Sequence, residues 1–332
     1  MSVSKGDIWI FGAANHPEND ADAVGGAVDT GTKLTFTDPT AASTFKMFST
    51  GADTTQTVTV TGRNAAGAIV SEGETLNGTT GSTATTIEFE RVLKVVISAP
   101  QAGVVAAISQ ETPESGTAQS AGTNFLQLAS GGVDTDGDFI GQVLRITAGD
   151  TGVGELAEVI DSTAADDKVF IRQWAGGSAP TGTITYEIAP GAVLEKYSTP
   201  AITIDTVRRL HYDAAAPSSS TRIYYEKGFV SNQHATLSLT NATFDELAVG
   251  VAAKVSYFVE ATVGGNGASA NRLTEPAGSP TWEADAAVDL GDAGDGVLGA
   301  GESQGFWSKL SLASTDTAAN SYWSFSVAGQ SV

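Results

Sequence analysis

RIYYEKGFVSNQHATLSLTNATF, residues 222–244, holds two runs of strand-forming residues separated by the polar segment Ser231-Asn232-Gln233-His234. Runs rich in β-branched and aromatic residues with turn residues between them read as strands, and the short polar connection predicts a hairpin. No nucleophile with its base, and no metal-ligand spacing, accompanies the stretch. The expectation it sets is an all-β fold with an assembly or binding role.

The flanking sequence extends that reading in both directions. Residues 54–61, TTQTVTVT, set Val58 and Val60 on one face and threonines on the other, the period-two pattern of a half-buried strand. Residues 7–11, 33–37, 68–70, 74–76 and 86–98 continue the series, and 64–67 is turn chemistry. Residues 12–31 and 264–280, dense in Gly, Asn, Asp and Pro, read as long loops on the surface or against a partner. Residues 245–255 form the one helix-compatible segment, interrupted by Gly250. Residues 256–263 return to strand, and 321–327, SYWSFSV, point Trp323, Phe325 and Val327 inward.

Small, polar and Pro residues from 110 to 123 mark a linker, which predicts three domains. These are a β-sandwich-like domain with an extended N-terminal arm at 1–109, a small inserted β-barrel-like module at 110–196, and a β-sandwich at 197–332. The apolar residues of 124–190, among them Leu126, Phe139, Ile140, Leu144, Phe170, Trp174 and Tyr186, are all expected in the core of the middle module. The class is therefore multi-domain all-β, with β-sandwich and β-barrel units, short strands and long Gly-rich loops.

Composition agrees and closes off several functions. Only 17% of the 332 residues are charged and 38 are glycine, which suits short strands joined by many turns. Seventeen basic against 38 acidic residues give a formal charge of -21, a field that repels nucleic acid and anionic membrane surfaces. With no cysteine there is no disulfide, thiolate nucleophile or Cys-ligated zinc. The N-terminal apolar run is too short for a signal peptide and no later stretch is long enough to span a bilayer, so a soluble product made in the cytoplasm is expected.

Candidate chemistry is sparse. His16, His211 and His234 lie far apart with no HxH, HExxH or Ser/His/Asp spacing and read as isolated surface or loop histidines. Asp134-Thr135-Asp136-Gly137-Asp138 begins like a calcium loop, but Phe139 stands at the sixth position and Arg145 at the twelfth, so it reads as a tight acidic turn. Asp289, Asp292, Asp295 and Glu302 read as a solvated loop. Gly294, Gly296 and Gly299 satisfy GxGxxG without the strand and helix that a dinucleotide site needs. No enzyme, cofactor or metal site is expected. Trp174 and Trp323 are assigned to the core, whereas Trp282 and Trp307, which flank the glycine-rich stretch, are the candidate exposed interface anchors.

Several stretches resemble structural proteins of tailed bacteriophages: residues 57–80 (TVTVTGRNAAGAIVSEGETLNGTT), the middle unit with FLQLAS, DFIGQVLRITAGDTGVGELAEVI, RQW and TYEI, then RIYYEKGFVSN and residues 295–312 (DGVLGAGESQGFWSKLSL). Residues 15–30 (NHPENDADAVGGAVDT) resemble the segment that precedes the strand unit in such proteins, and Gly228 departs from the pattern where an apolar residue is common. The resemblance implies an all-β virion protein. Within that class the expectation is a capsid decoration (cement) protein on the outer surface of the head, a homo-oligomer, taken as a trimer, that clamps the major capsid protein. The alternative is a tail, neck or fibre protein that contributes to host-surface glycan binding.

Overall fold

The computed structural model describes the chain except residues 1, 35–36, 213, 216, 250–253, 279–280, 284–285, 317–322 and 332, and the side chains of 246–249 and 323–324. The protein is all-β: 50% of it is strand, and among the described residues helix is confined to 3₁₀ turns. The chain forms two compact units, Met1–Leu34 with Leu210–Val332, and Thr35–Arg209.

In the first unit one antiparallel sheet runs in the order Val255–Val263, Ser303–Leu312, Arg222–Asn232, Ile8–Asn15, Val24–Lys33. A second sheet is built on Leu239–Val249, with Trp323–Ser331 on one side and the short strands Val288–Asp289 and Val297–Leu298 on the other. Val230, Tyr257 and Phe306 of the first sheet pack with Leu239, Ala242, Phe244, Leu290 and Leu298 across the sandwich. Phe244 is the hub, with ring centroids 5.0 Å from Tyr257, 4.8 Å from Phe306 and 4.7 Å from Phe325.

The expected hairpin is an arch. Arg222–Asn232 pairs with Ile8–Asn15 and Ser303–Leu312, Leu239–Val249 pairs in the other sheet, and the two runs meet through side chains instead of backbone bonds. Asn232, completely buried, fixes the crossing. Its Nδ2 donates to the carbonyls of Leu237 (2.9 Å) and Leu298 (3.1 Å), and its Oδ1 accepts from the His234 N–H (3.1 Å). His234 Nδ1 then accepts from the N–H groups of Thr236 and Leu237 at 3.1 and 2.9 Å. These bonds satisfy the backbone where it leaves one sheet for the other.

Three further expectations change. Residues 12–31 are not one loop, since Val24–Lys33 is a strand and the connection is only 16–23. The helix-compatible stretch continues the strand Leu239–Val249, because pairing with Trp323–Ser331 overrides local propensity; residues 250–253 lie outside the described set. Phe325 and Val327 pack against the sandwich core as expected, while residues 321–322 and the Trp323 side chain are outside the described set.

The second unit joins two sheet systems. Thr206–Arg208, Arg91–Ile97, Thr57–Arg63 and Ile69–Thr75 form a sheet in that order, and Gly191–Leu194, Val105–Ser109 and Phe45–Ser49 form a three-stranded one. Val58 and Val60 are fully buried and the threonines on either side of them, Thr57, Thr59 and Thr61, are not, as the alternation predicts. The seven-stranded sheet of the middle segment closes on itself. Its two end strands, Glu114–Thr117 and Ser120–Gly122, are successive pieces of one bent run, joined where the Ala118 N–H donates to Ile184 and the Gln119 N–H to Gln127. Leu126, Leu144, Val159, Val169, Trp174 and Tyr186 fill this barrel, with Trp174 Nε1 donating to the Gly122 carbonyl at 2.8 Å. Not every apolar residue goes inside: Ile140 is 50% exposed, and Phe170 faces outward against Phe125 because Val169 and Ile171 take the inward positions of Lys168–Ile171.

Asn232→Ala strips donors from two carbonyls at the arch, and buried polar groups left unsatisfied cost about 1–3 kcal/mol each. Urea unfolding is therefore expected to show a lower midpoint with an unchanged slope and a loss of roughly 2–4 kcal/mol; a loss under about 0.5 kcal/mol would show that the arch does not depend on this side chain.

Candidate functional site

Arg222–Asn232 is buried on both faces from Tyr224 onward, so its adjacent charges cannot both be solvated. Alternation sends Glu226 and Lys227 to opposite faces, and each is sealed there, at 0% and 1% exposure. Although adjacent in sequence, the two charges do not form a solvated or interfacial pair.

Lys227 Nζ lies 2.8 Å from the Glu260 carboxylate and donates to the carbonyls of Gly26 (3.2 Å), Gly265 (3.1 Å) and Gly267 (3.2 Å). The ammonium also sits 4.7 Å from the centre of the Phe229 ring. Trp307 completes the cage by donating Nε1 to Glu260 at 2.9 Å. Space is tight on both faces: beside the cage a Cβ on Gly305 would meet Lys227 Cε and Glu260 Oε2 at 2.6 Å, and on the opposite face, in the sandwich core, one on Gly228 would meet the Phe306 ring at 2.5 Å. Glycine at 228 thus has a packing cause. Burial pushes the Lys227 pKa below the ordinary lysine value, and the bond to Glu260 opposes that shift.

On the other face, Glu226 is paired in register with Ser308. His211 Nε2 lies 3.1 Å from Ser308 Oγ, and His211 Nδ1 is 4.0 Å from Glu226 Oε1. Serine, histidine and glutamate are the parts of a nucleophilic triad, but 4.0 Å exceeds hydrogen-bond length and Ser308 is completely buried. Without access for a substrate the row is a polar seam in the sheet. His211 is accordingly not a surface histidine, whereas His16 sits in a loop 3.6 Å from Glu18 and His234 serves the arch.

The two candidate anchor tryptophans part company. Trp307 is only 1% exposed and is a wall of the Lys227 cage, which corrects its reading as an exposed anchor. Trp282 is half-buried, edge-on to Phe258 at 5.0 Å and 5.5 Å from Tyr225, with its Nε1 donating to Glu275 at 2.6 Å and Lys309 Nζ 5.1 Å from its ring centre. Arg272 closes this side: it is 5% exposed, donates Nε to Asp20 at 2.8 Å and stacks over Tyr224 at 5.1 Å.

The acidic stretches brace turns. Asp138 accepts from the N–H and hydroxyl of Thr135, Asp136 from the Ala164 N–H, Asp292 from Val263, Asp295 from Val297 and Glu302 from Gly299. Among the described residues no group of three or more His, Asp or Glu side chains is placed to hold a metal ion. Gly294 ends a 3₁₀ turn and Gly296 precedes the short strand Val297–Leu298, so the GxGxxG spacing opens no α-helix.

The second unit repeats the use of buried charge. Asp53, 2% exposed, accepts from Ser49 Oγ (2.6 Å), Gln56 Nε2 (3.1 Å) and the N–H groups of Ala102 (2.7 Å) and Gly103 (3.1 Å); burial is the largest single effect and raises its pKa, but the Ser49, Ala102 and Gly103 bonds together hold the carboxyl below the usual range. Arg172 lies 3.8 Å from Glu158 and 3.7 Å from Glu195, and Tyr197 donates to Glu195 at 3.1 Å. Burial first, and the charge of Glu195 second, push the Tyr197 hydroxyl well above its ordinary pKa.

Comparison with protein-family models, with curated proteins and with solved structures returned no match to this chain. No helix among the described residues is long and apolar enough to cross a membrane.

Lys227→Met leaves Glu260 and three glycine carbonyls without their cation, so a loss of roughly 3–5 kcal/mol is expected in urea unfolding. The folded pKa of Lys227 lies below the ordinary 10.5, so the unfolded chain binds its proton to higher pH. The Lys227 contribution therefore rises as pH climbs through the window ending near 10.5, and the variant is expected to lack that increment of slope. Equal stabilities at every pH would rule out the cage as a structural tie.

Proposed function

We infer that this chain is a virion structural protein of a tailed bacteriophage, a capsid decoration protein that binds the major capsid protein on the outer surface of the head as a homo-oligomer, taken as a trimer. The observation that carries this reading is how the ionisable residues are used. Lys227, Glu260, Asp53, Arg172 and Glu195 are spent inside the two units on fixing glycine-rich loops and strand ends, and Ser308, beside His211 of an adjoining turn, is sealed in a sheet. Rigid loops on all-β units suit a protein whose work is to hold shape against a partner. Support also comes from the virion-like stretches 57–80, 222–232 and 295–312 and from the acidic charge of -21, which disfavours nucleic acid as a partner. On this reading the chain is not an enzyme.

A tail, neck or fibre role in glycan binding is the second reading, favoured by Trp282, a half-buried ring beside Tyr225 and Lys309 of the kind that stacks on sugars. Mapping copies of the chain on intact particles by electron microscopy is expected to place them on the head shell; density on the tail alone would overturn the decoration reading. Trp282→Ala is expected to leave attachment to particles intact. Purified protein that binds host cells, and loses at least about tenfold in affinity on this substitution, would transfer preference to the glycan reading.

A further inference from the structure

Ile69–Thr75 is the terminal strand of its sheet in the second unit, and among the described residues it is paired on one side only, to Thr57–Arg63. Its ladder is bracketed by two bonds, Leu76 N–H to Gln56 and Asn64 N–H to Ala68. Bonded and non-bonded pairs alternate in an antiparallel ladder, so Val70, Glu72 and Glu74 bond inward to the neighbouring strand. The N–H and C=O groups of Ile69, Ser71, Gly73 and Thr75 consequently face out along the edge, and these are the four exposed residues of the strand. Ile69, 51% exposed, is among the most exposed large apolar side chains of the chain.

A groove of about 400 Å³ flanks the start of this edge, with Ala65, Ala66, Val70 and Ile87 as its apolar lining and Glu88 exposed among the lining residues. Beyond it along the strand stand Glu72 and Glu74. Glu72 accepts from the N–H groups of Thr86 (2.9 Å) and Ile87 (2.7 Å), which hold its pKa below the usual carboxylate value, so it is ionised at neutral pH. Open backbone, an apolar seat and a row of carboxylates thus lie together.

We propose that the edge Ile69–Thr75 takes one extended, basic segment of a partner protein as an added strand, with an aliphatic side chain of that segment in the Val70–Ile87 groove and its lysines or arginines beside Glu72, Glu74 and Glu88. Charge complementarity selects this occupant over a second copy of the chain. Antiparallel self-pairing of the edge centred on Glu72 would set Glu72 against Glu72, and two bodies of charge -21 repel. The same carboxylates keep the edge from unspecific strand pairing, a common use of charge on an open edge. The proposal rests on the assembly reading and names the surface through which assembly proceeds.

The test uses the full chain and a fluorescein-labelled peptide of sequence Lys-Thr-Val-Lys-Val-Thr-Lys, with a second peptide carrying glutamate for every lysine, by anisotropy titration at low salt. The basic peptide is expected to bind and the acidic one to bind at least about tenfold more weakly. Ser71→Pro removes one outward N–H and is expected to weaken the basic peptide about five- to tenfold, whereas Ser71→Ala keeps it. Glu88→Lys, at an exposed position, is expected to weaken the basic peptide and strengthen the acidic one. Absence of binding, or binding indifferent to Ser71→Pro and Glu88→Lys, overturns the proposal. Particle mapping judges the assembly reading independently: copies on the head with an inert edge would fail this inference alone, and absence from particles would fail the reading beneath it.

Discussion

A single ammonium group, Lys227 Nζ, holds together the part of the first unit that composition alone would make loosest. It joins Gly26 on one strand to Gly265 and Gly267 in a glycine-rich connection, and Glu260 balances its charge. Burying a charge is unfavourable unless it is paired and hydrogen-bonded, and here three glycine carbonyls join the Glu260 carboxylate as acceptors, in backbone where a Cβ at Gly265 or Gly267 would meet that carboxylate at 2.5 and 2.6 Å. The arrangement links two features of the sequence that look independent, the excess of glycine and the scarcity of lysine. Where glycine leaves the chain without side-chain packing, a fixed charge supplies the order.

Strand class and half-buried pattern were legible in the residues, because Val58 and Val60 alternate with threonine and nothing in 54–61 competes with that pattern. Pairing was not. Residues 222–244 announce two strands, but local sequence carries no sign that their partners lie at Ile8–Asn15, Ser303–Leu312 and Trp323–Ser331, and so an arch has the local signature of a hairpin. Val24–Lys33 was hidden because Gly25, Gly26 and Gly31 dilute its alternation. Trp307 looks exposed from its place beside a glycine stretch, but Gln304 to Ser308 are buried without a break on both faces of a central strand. The same logic exposes Lys227: a charge flanked by Tyr225 and Phe229 in a strand with apolar residues on both faces has little choice but to be buried and paired.

Both units obey one rule at different scales. Asn232 satisfies the backbone at the arch, Asp53 satisfies two amides of a turn, and in the barrel, which one bent run, 114–122, closes, Asp167 satisfies the amides of Gly131 and Val133. Edges are treated unequally. The barrel has none, whereas Ile69–Thr75 stays open with carboxylates along one face. On the proposed assembly role that contrast is useful: stiff units, and an open strand guarded by charge.

The Gly26 N–H, which donates to the Gly267 carbonyl at 2.9 Å, reports most directly on whether the buried cation orders the glycine-rich connection. Hydrogen exchange of that amide in native protein, compared between the wild type and Lys227→Met, isolates the tie from global unfolding when amides of the Val58–Val60 strand serve as the reference. Exchange at Gly26 is expected to accelerate at least about a hundredfold in the variant while the reference amides keep their rates, since loss of a buried pair exceeds 2.7 kcal/mol of local stability, roughly. An unchanged rate at Gly26 would contradict the dependence of this fold on Lys227.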